Sequence, residues 1–196
     1  MEEMQSKEMD EPQRTFLALG SNVGERIEHL RYAVAQLRSH GSLRVTSTSP
    51  VYETTAHMLR PDQQARPYLN AVLEVQSRLR ASTLLAFALD IERERGRDRS
   101  GGHRWAARTL DIDLLLFGEE SIHEPDLTVP HPRMASRRFV LVPLADIAEE
   151  VYVPAPFETT VRALLAWCED AGNVRRTSYT LDDAGAASGK NGSMAR

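Results

Sequence analysis

Apolar residues recur along this chain in two rhythms, one near 3.6 residues and one near two. Thr15-Phe16-Leu17-Ala18-Leu19 is a short apolar run that predicts a buried strand, stopped by Gly20-Ser21-Asn22. Ile27, Leu30, Val34 and Leu37 then recur every three or four positions, with Glu25, Arg26, Glu28 and Arg31 facing out. This spacing predicts a helix over 25–40, with Gly41 as its stop and Ser21 or Asn22 as cap in the turn Gly20-Ser21-Asn22-Val23-Gly24. Residues 43–52 alternate and are rich in Val, Thr and Ser, which predicts a second strand. A polar loop with two prolines over 54–67 leads to a third strand at 68–76, with Leu69, Ala71, Leu73 and Val75 on one side. Ser82 is a suitable cap for a second helix over 82–95, ended by Gly96. After an arginine-rich loop at 96–107, the run Arg108-Thr109-Leu110-Asp111-Ile112-Asp113-Leu114-Leu115-Leu116-Phe117-Gly118 reads as another buried strand. Residues 140–145 are apolar and lead into a short helix near 146–150, and a last helix is expected over 159–170.

The order β-α-β-β-α-β predicts an α+β fold. It is a ferredoxin-like βαββαβ core with a mainly antiparallel sheet flanked by helices and a short C-terminal helical extension. A chain of 196 residues suits one domain with tails. The expected division is a flexible N-terminal tail over 1–13, a single domain over 14–171, and a flexible tail over 172–196, where Gly, Ser, Ala and Asn dominate. Apolar and charged contents of 41% and 27% are those of a soluble globular protein. A net charge of −4 gives no general attraction to nucleic acid or anionic lipid. The acidic N-terminus lacks the apolar core of a secretory signal, and no stretch is long and apolar enough to span a membrane. With a single cysteine, Cys168, read as a packing residue, the expected setting is the cytoplasm.

Asp111 and Asp113 are the strongest chemical signal. Residues i and i+2 of a strand share a face, with Cα atoms roughly 6.6–7 Å apart. Two carboxylates aimed at one region repel each other, so a cation is expected between them, and hard Mg²⁺ suits oxygen ligands. The alternative is a strand end whose aspartates face water. Arg93, Arg95, Arg97, Arg99, Arg104 and Arg108 precede the pair, and acids for Mg²⁺ beside several guanidiniums describe a polyphosphate site. For Arg93, Arg95 and Arg99 a solvated helix end serves equally well. Trp105 is costly to expose and should stack on a base, a guanidinium or the core. His131 lies between Pro130 and Pro132, which hold it in an extended presentation as a phosphate ligand or a structural residue. The remaining histidines lack metal-ligand spacing and are read as surface residues. P-loop and protein-kinase motifs are absent. An RNA-binding module of the same architecture is the alternative from another class, opposed by the acidic charge and by the lack of interleaved aromatics.

Taken together, Gly20-Ser21-Asn22, Tyr68-Leu69-Asn70-Ala71-Val72, Gly96-Arg97, Arg104-Trp105, Arg108 to Asp113, Val129-Pro130-His131, Arg137 and Phe139 to Leu144 resemble the 6-hydroxymethyl-7,8-dihydropterin pyrophosphokinase family over roughly residues 14–155. The resemblance implies pyrophosphate transfer from ATP to the hydroxymethyl group of the dihydropterin, with release of AMP, in folate biosynthesis. It implies two Mg²⁺ ions on Asp111 and Asp113, with Arg97 and Arg108 acting on the transferring group. Glu92, Arg104, Trp105, Thr128, His131 and Arg137 correspond to ATP-site positions. Tyr68 and Phe139 would sandwich the pterin, with Asn70 and Thr54 also on the pterin side. ATP and the dihydropterin are the expected partners of a monomer, with no nucleic acid and no membrane. The chain departs from the family pattern at Ala106-Ala107, where Gly-Pro is usual, and at Thr54-Thr55-Ala56-His57-Met58. The second departure leaves open a related ATP-dependent enzyme with a different acceptor.

Overall fold

Nine residues, Gln13–Ser21 (β1), form the spine of a six-stranded sheet in the computed structural model, which describes residues 8–54, 66–96 and 109–182. Tyr68–Ser77 (β4) pairs with β1 along its whole length, from Gln13↔Ser77 to Ser21↔Leu69. Asp111–Phe117 (β5) pairs with the other side of β1, from Gly20↔Asp111 to Thr15↔Phe117. Leu43–Thr48 (β2) and Tyr52–Thr54 (β3) follow one another along the far edge of β4. Each of these pairings is antiparallel, and the order β5-β1-β4-β2/β3 is the ferredoxin-like arrangement expected from the element order.

Alternation along the strands feeds two separate cores. Leu17, Leu19, Leu73, Val75 and Ile112 pack with Leu30, Val34 and Leu37 of the helix Arg26–Ser39 (α1) and with Leu84, Ala88 and Ile91 of Ala81–Glu94 (α2). On the opposite face Phe16, Val72 and Leu115 meet Val140, Leu141 and Leu144 of Arg138–Ala148 (α3), together with Leu164 of Val161–Trp167 (α4). Many of these side chains are fully buried, and each contributes about 1.5–3 kcal/mol relative to exposure. The sheet is therefore covered on both faces.

Several boundaries differ from the sequence reading for identifiable reasons. The strand expected over 43–52 is interrupted at Ser49-Pro50, because proline cannot donate to the ladder; the Ser49 hydroxyl accepts from the Val72 N–H instead, at 2.9 Å. Residues 140–145 are not a separate apolar segment but part of α3, which contains Pro143; the buried set Val140, Leu141, Leu144 and Ala148 has helical spacing. Neither Ser21 nor Asn22 caps α1, since Ser21 is buried in β1 and Glu25 stands at the cap position without a side-chain bond. Ser82 likewise lies inside α2, one residue after its start. Gly96 does end α2, at φ +80°, a conformation glycine adopts without a Cβ penalty. The last helix is shorter than expected, with Thr160 capping it by accepting from the Ala163 N–H at 3.3 Å. Two hairpins have no counterpart in the sequence reading: Ile122–Glu124 (β6) with Leu127–Val129 (β7), and Tyr152–Val153 (β8) with Thr159–Thr160 (β9). Cys168 packs partly buried against the second core, as expected.

At both ends, described residues within the expected tails are docked onto the domain. The Met9 N–H donates to the Arg78 carbonyl at 2.7 Å, and Arg78 Nη1 donates to the Asp10 carbonyl at 2.7 Å, so Met9 and Asp10 are docked. At the other end, Val174–Arg176 (β10) pairs with β3 as Val174↔Thr54, Arg175↔Glu53 and Arg176↔Tyr52. The chain then crosses α1: Arg31 Nε donates to the Thr180 carbonyl at 3.1 Å, Arg38 pairs with Asp182 at 2.6 Å, and Leu181 is 5% exposed within the first core. Among the described residues no helix is long and apolar enough to cross a membrane. Leu181→Ala is predicted to cost about 2 kcal/mol or more of unfolding free energy in a urea titration, as a buried leucine does. A change within about 0.5 kcal/mol, typical of an exposed position, would return this segment to the status of a tail.

Candidate active site

The register of β1 builds the site. Gly20 pairs with Asn70 on one side and Asp111 on the other, so Asn70, Gly20 and Asp111 form a row across three neighbouring strands. Two strand spacings separate the ends of this row, about 10 Å. A Cβ added to Gly20 would lie 3.5 Å from Asn70 Oδ1 and 3.9 Å from the Asp111 Cβ. The missing side chain therefore keeps the space between the amide and the carboxylate open.

Asp111 and Asp113 flank the buried Ile112 and share the sheet face that α3 covers further along. Arg137, immediately before α3, donates from Nη1 to Asp113 Oδ2 at 3.2 Å. His131 Nε2 lies 3.9 Å from the same oxygen. The His131 N–H donates to the Leu115 carbonyl at 2.9 Å, which ties this residue to β5, and its Nδ1 accepts from the Arg133 N–H at 3.1 Å. Neutral His131 therefore carries its proton on Nε2, facing the acid pair. Burial pushes its pKa down; Asp113 opposes the shift, while Arg137 and Arg133 reinforce it. The Asp113 side chain keeps 32% of its exposure, enough to admit a ligand.

Behind the pair, Glu92 of α2 is 1% exposed, and its Oε1 accepts from the Ile112 N–H at 2.7 Å. β5 is the sheet's edge, and this carboxylate satisfies an edge donor midway between the two aspartates. Asn70 and Thr54 meet on the other side of the row, where Asn70 Nδ2 donates to Thr54 Oγ1 at 2.8 Å. Tyr68 pairs directly with Thr54. Phe139 comes from the first turn of α3, its ring 5.6 Å from the Arg137 guanidinium carbon. The structure thus brings Asp111, Asp113, His131 and Arg137 to one end of β5, with Thr54, Tyr68 and Asn70 across the row. Thr128 lies on β7, opposite His123. Arg97, Arg104, Trp105 and Arg108 lie outside the described residues, as does most of the 54–58 departure.

Sequence reasoning missed one further feature. Leu85 and Leu89 of α2 and Leu127 of β7 line a largely apolar groove with Pro125. Its bordering elements also carry Glu92 and Thr128. Leucines at i and i+4 give no signal that separates such a groove from a core stripe.

The residues present suit magnesium. Mg²⁺ is commonly held by one or two carboxylates with phosphate oxygens and water completing its shell, so the half-exposed acid pair beside a guanidinium is a compatible donor set. Among the described residues no third acidic, histidine or cysteine ligand joins them in a closed metal cage.

Fold and site together define a ferredoxin-like α+β protein with an acid pair and a buried amide on either side of Gly20 at one end of its sheet. The chain belongs to the 7,8-dihydro-6-hydroxymethylpterin-pyrophosphokinase (HPPK) family, whose model matches residues 16–149. It is 42% identical over 158 residues to the 2-amino-4-hydroxy-6-hydroxymethyldihydropteridine pyrophosphokinase of Bacillus subtilis (strain 168), covering 80% of this chain and 92% of the relative. The protein of the same name from Pseudomonas aeruginosa is 40% identical over 142 residues, covering 72% of this chain and 85% of the relative. Among solved structures, an HPPK-DHPS in complex with substrates matches 80% of this chain with a TM-score of 0.62 at 14% identity. The Plasmodium falciparum HPPK-DHPS matches 85% with a TM-score of 0.63 at 15% identity. The chain spans less than half the length of these two structures, at 43% and 46%, and the likeness establishes the shared fold.

Glu92→Ala strands a buried N–H between the two aspartates and is predicted to cost about 1–3 kcal/mol in chemical denaturation, with Glu92→Gln recovering part of it. Equal stability of the alanine variant and the parent would contradict this anchoring role.

Proposed function

We propose that this chain transfers the pyrophosphoryl group of ATP to the hydroxymethyl oxygen of 6-hydroxymethyl-7,8-dihydropterin, yielding the pterin diphosphate and AMP in folate biosynthesis. Family membership and the names of the two relatives support this activity. The observation that carries it is the row Asn70–Gly20–Asp111, which sets an amide for a planar acceptor beside acids for a phosphate chain.

In this reading Tyr68 and Phe139 stack on the pterin, while Asn70 and Thr54 read its polar edge; offset stacking and a buried amide suit a flat ring bearing donors and acceptors. Thr128 and His131 lie on the nucleotide side by the family resemblance. His131 offers an uncharged N–H donor at the phosphate end. Arg137, already at Asp113, offers a forked donor to phosphate oxygens. Asp111 and Asp113 would hold the Mg²⁺, two ions by the family resemblance; when bound, this metal supplies charge neutralisation and alignment of the phosphate oxygens. Glu92 serves the site from behind by fixing Ile112. The acceptor hydroxyl attacks the β-phosphorus, the bond between that phosphorus and the α,β-bridging oxygen breaks, and AMP departs. Arg97 and Arg108 act on the transferring group, and Arg104 and Trp105 on the nucleotide, by the same resemblance.

Incubation with Mg-ATP and the dihydropterin is predicted to give AMP and the pterin diphosphate. ADP with a pterin monophosphate would contradict the reaction assigned. Asp111→Ala and Asp113→Ala should each lose on the order of 10²–10⁴ in turnover, the scale of removing a major electrostatic stabiliser. Undiminished rates in both variants would remove the acid pair from the mechanism.

A further inference from the structure

Arg26 opens α1, and the helix itself gives no reason for it. A positive charge in the first turn sits at the positive end of the helix dipole. Its guanidinium instead reaches out of the helix to two other segments. Nη2 donates to Glu53 Oε1 at 3.0 Å, and Nη1 donates to the Pro67 carbonyl at 2.7 Å. Glu53 immediately precedes Thr54, Pro67 immediately precedes Tyr68, and Thr54 and Tyr68 are partners in the β3–β4 ladder. One fork therefore grips both strands beside their last rung.

That rung is a weak point. Among the described residues β3 and β4 share the three pairs Tyr52↔Asn70, Glu53↔Leu69 and Thr54↔Tyr68, and short ladder ends open at little free-energy cost. Arg175 of β10 pairs with Glu53 from the other side of β3. Burial alone would raise the pKa of Glu53, but the bonds from Arg175 and Arg26 outweigh it and hold the carboxyl below its ordinary value. The Arg26 and Glu53 side chains retain only 24% and 22% of their exposure, so this pair is better shielded from water than an ordinary surface ion pair. Arginine is required by the geometry: two nitrogens of one planar group serve acceptors on different segments, which a single ammonium on a flexible stem does not reproduce.

We propose that Arg26 is a positioning residue for acceptor recognition, locking the end of the β3–β4 ladder and thereby the spacing of Thr54, Tyr68 and Asn70. The inference rests on the acceptor side assigned above. Neither bond of the fork reaches the acid pair or the leucine groove, so the loss of Arg26 should act on one substrate only.

Isothermal calorimetry on the full chain tests this, using a non-hydrolysable ATP analogue with magnesium alone and the dihydropterin in the presence of that analogue. Arg26→Ala and Arg26→Lys are each expected to weaken the dihydropterin about tenfold, the effect of losing roughly 1.4 kcal/mol of preorganisation, while the nucleotide changes by less than about twofold. Arg175→Ala, which leaves the Arg26 fork intact, should give a smaller shift in the same direction. Arg38→Ala removes an ion pair at the other end of α1 and controls for general loss of stability, with thermal melts recorded for every variant. Equal weakening of both ligands, no change in either, or full retention of dihydropterin affinity by Arg26→Lys would each overturn the proposal. Failure of the unaltered protein to bind the dihydropterin would instead refute the acceptor assignment itself, and the proposal with it.

Discussion

The register of β1 against its two neighbours is the constraint on which the site depends. A slip of one residue turns every side chain of a strand to the opposite face. Nine pairs with β4 and six with β5 hold β1 in place, and the hydrophobic alternation of Leu17 and Leu19 against Phe16 and Ala18 sets which face each core receives. Because that register is fixed, Asn70 and Asp111 fall on either side of a glycine. The chemistry is thus placed by packing far from it.

Charge around the acid pair is the second determinant. Two carboxylates on one strand face are unfavourable neighbours, and Arg137 and the β5-tethered His131 are arranged around Asp113. The guanidinium offsets negative charge, while the imidazole, kept neutral by burial, adds a donor without adding a cation. Glu92 contributes from the other layer, where its buried carboxylate holds an edge N–H. An edge strand needs such support, since among the described residues no strand pairs with its outer side.

Local signals made much of this legible. The recurrence of Ile27, Leu30, Val34 and Leu37 marks α1, and the two-residue spacing of Asp111 and Asp113 is by itself enough to put both on one face of a strand. What could not be read depends on partners distant in the chain. Val174–Arg176 holds one apolar residue and two arginines, and it becomes a strand because β3 offers it an edge. The α3 run is obscured by Pro143 and by contiguous apolar residues whose helical period emerges only from their burial. Arg26 looks like any solvated charge in a first helical turn, and its two acceptors lie 27 and 41 residues away. Leu85 and Leu89 resemble core residues, and only the position of β7 opposite them marks a groove.

A crystal structure with magnesium and a non-hydrolysable ATP analogue tests the central claim most directly. Carboxylate oxygens of both Asp111 and Asp113 should coordinate magnesium that also binds the nucleotide's phosphates. A nucleotide bound elsewhere, with both acids free of metal and turned to solvent, would contradict the account.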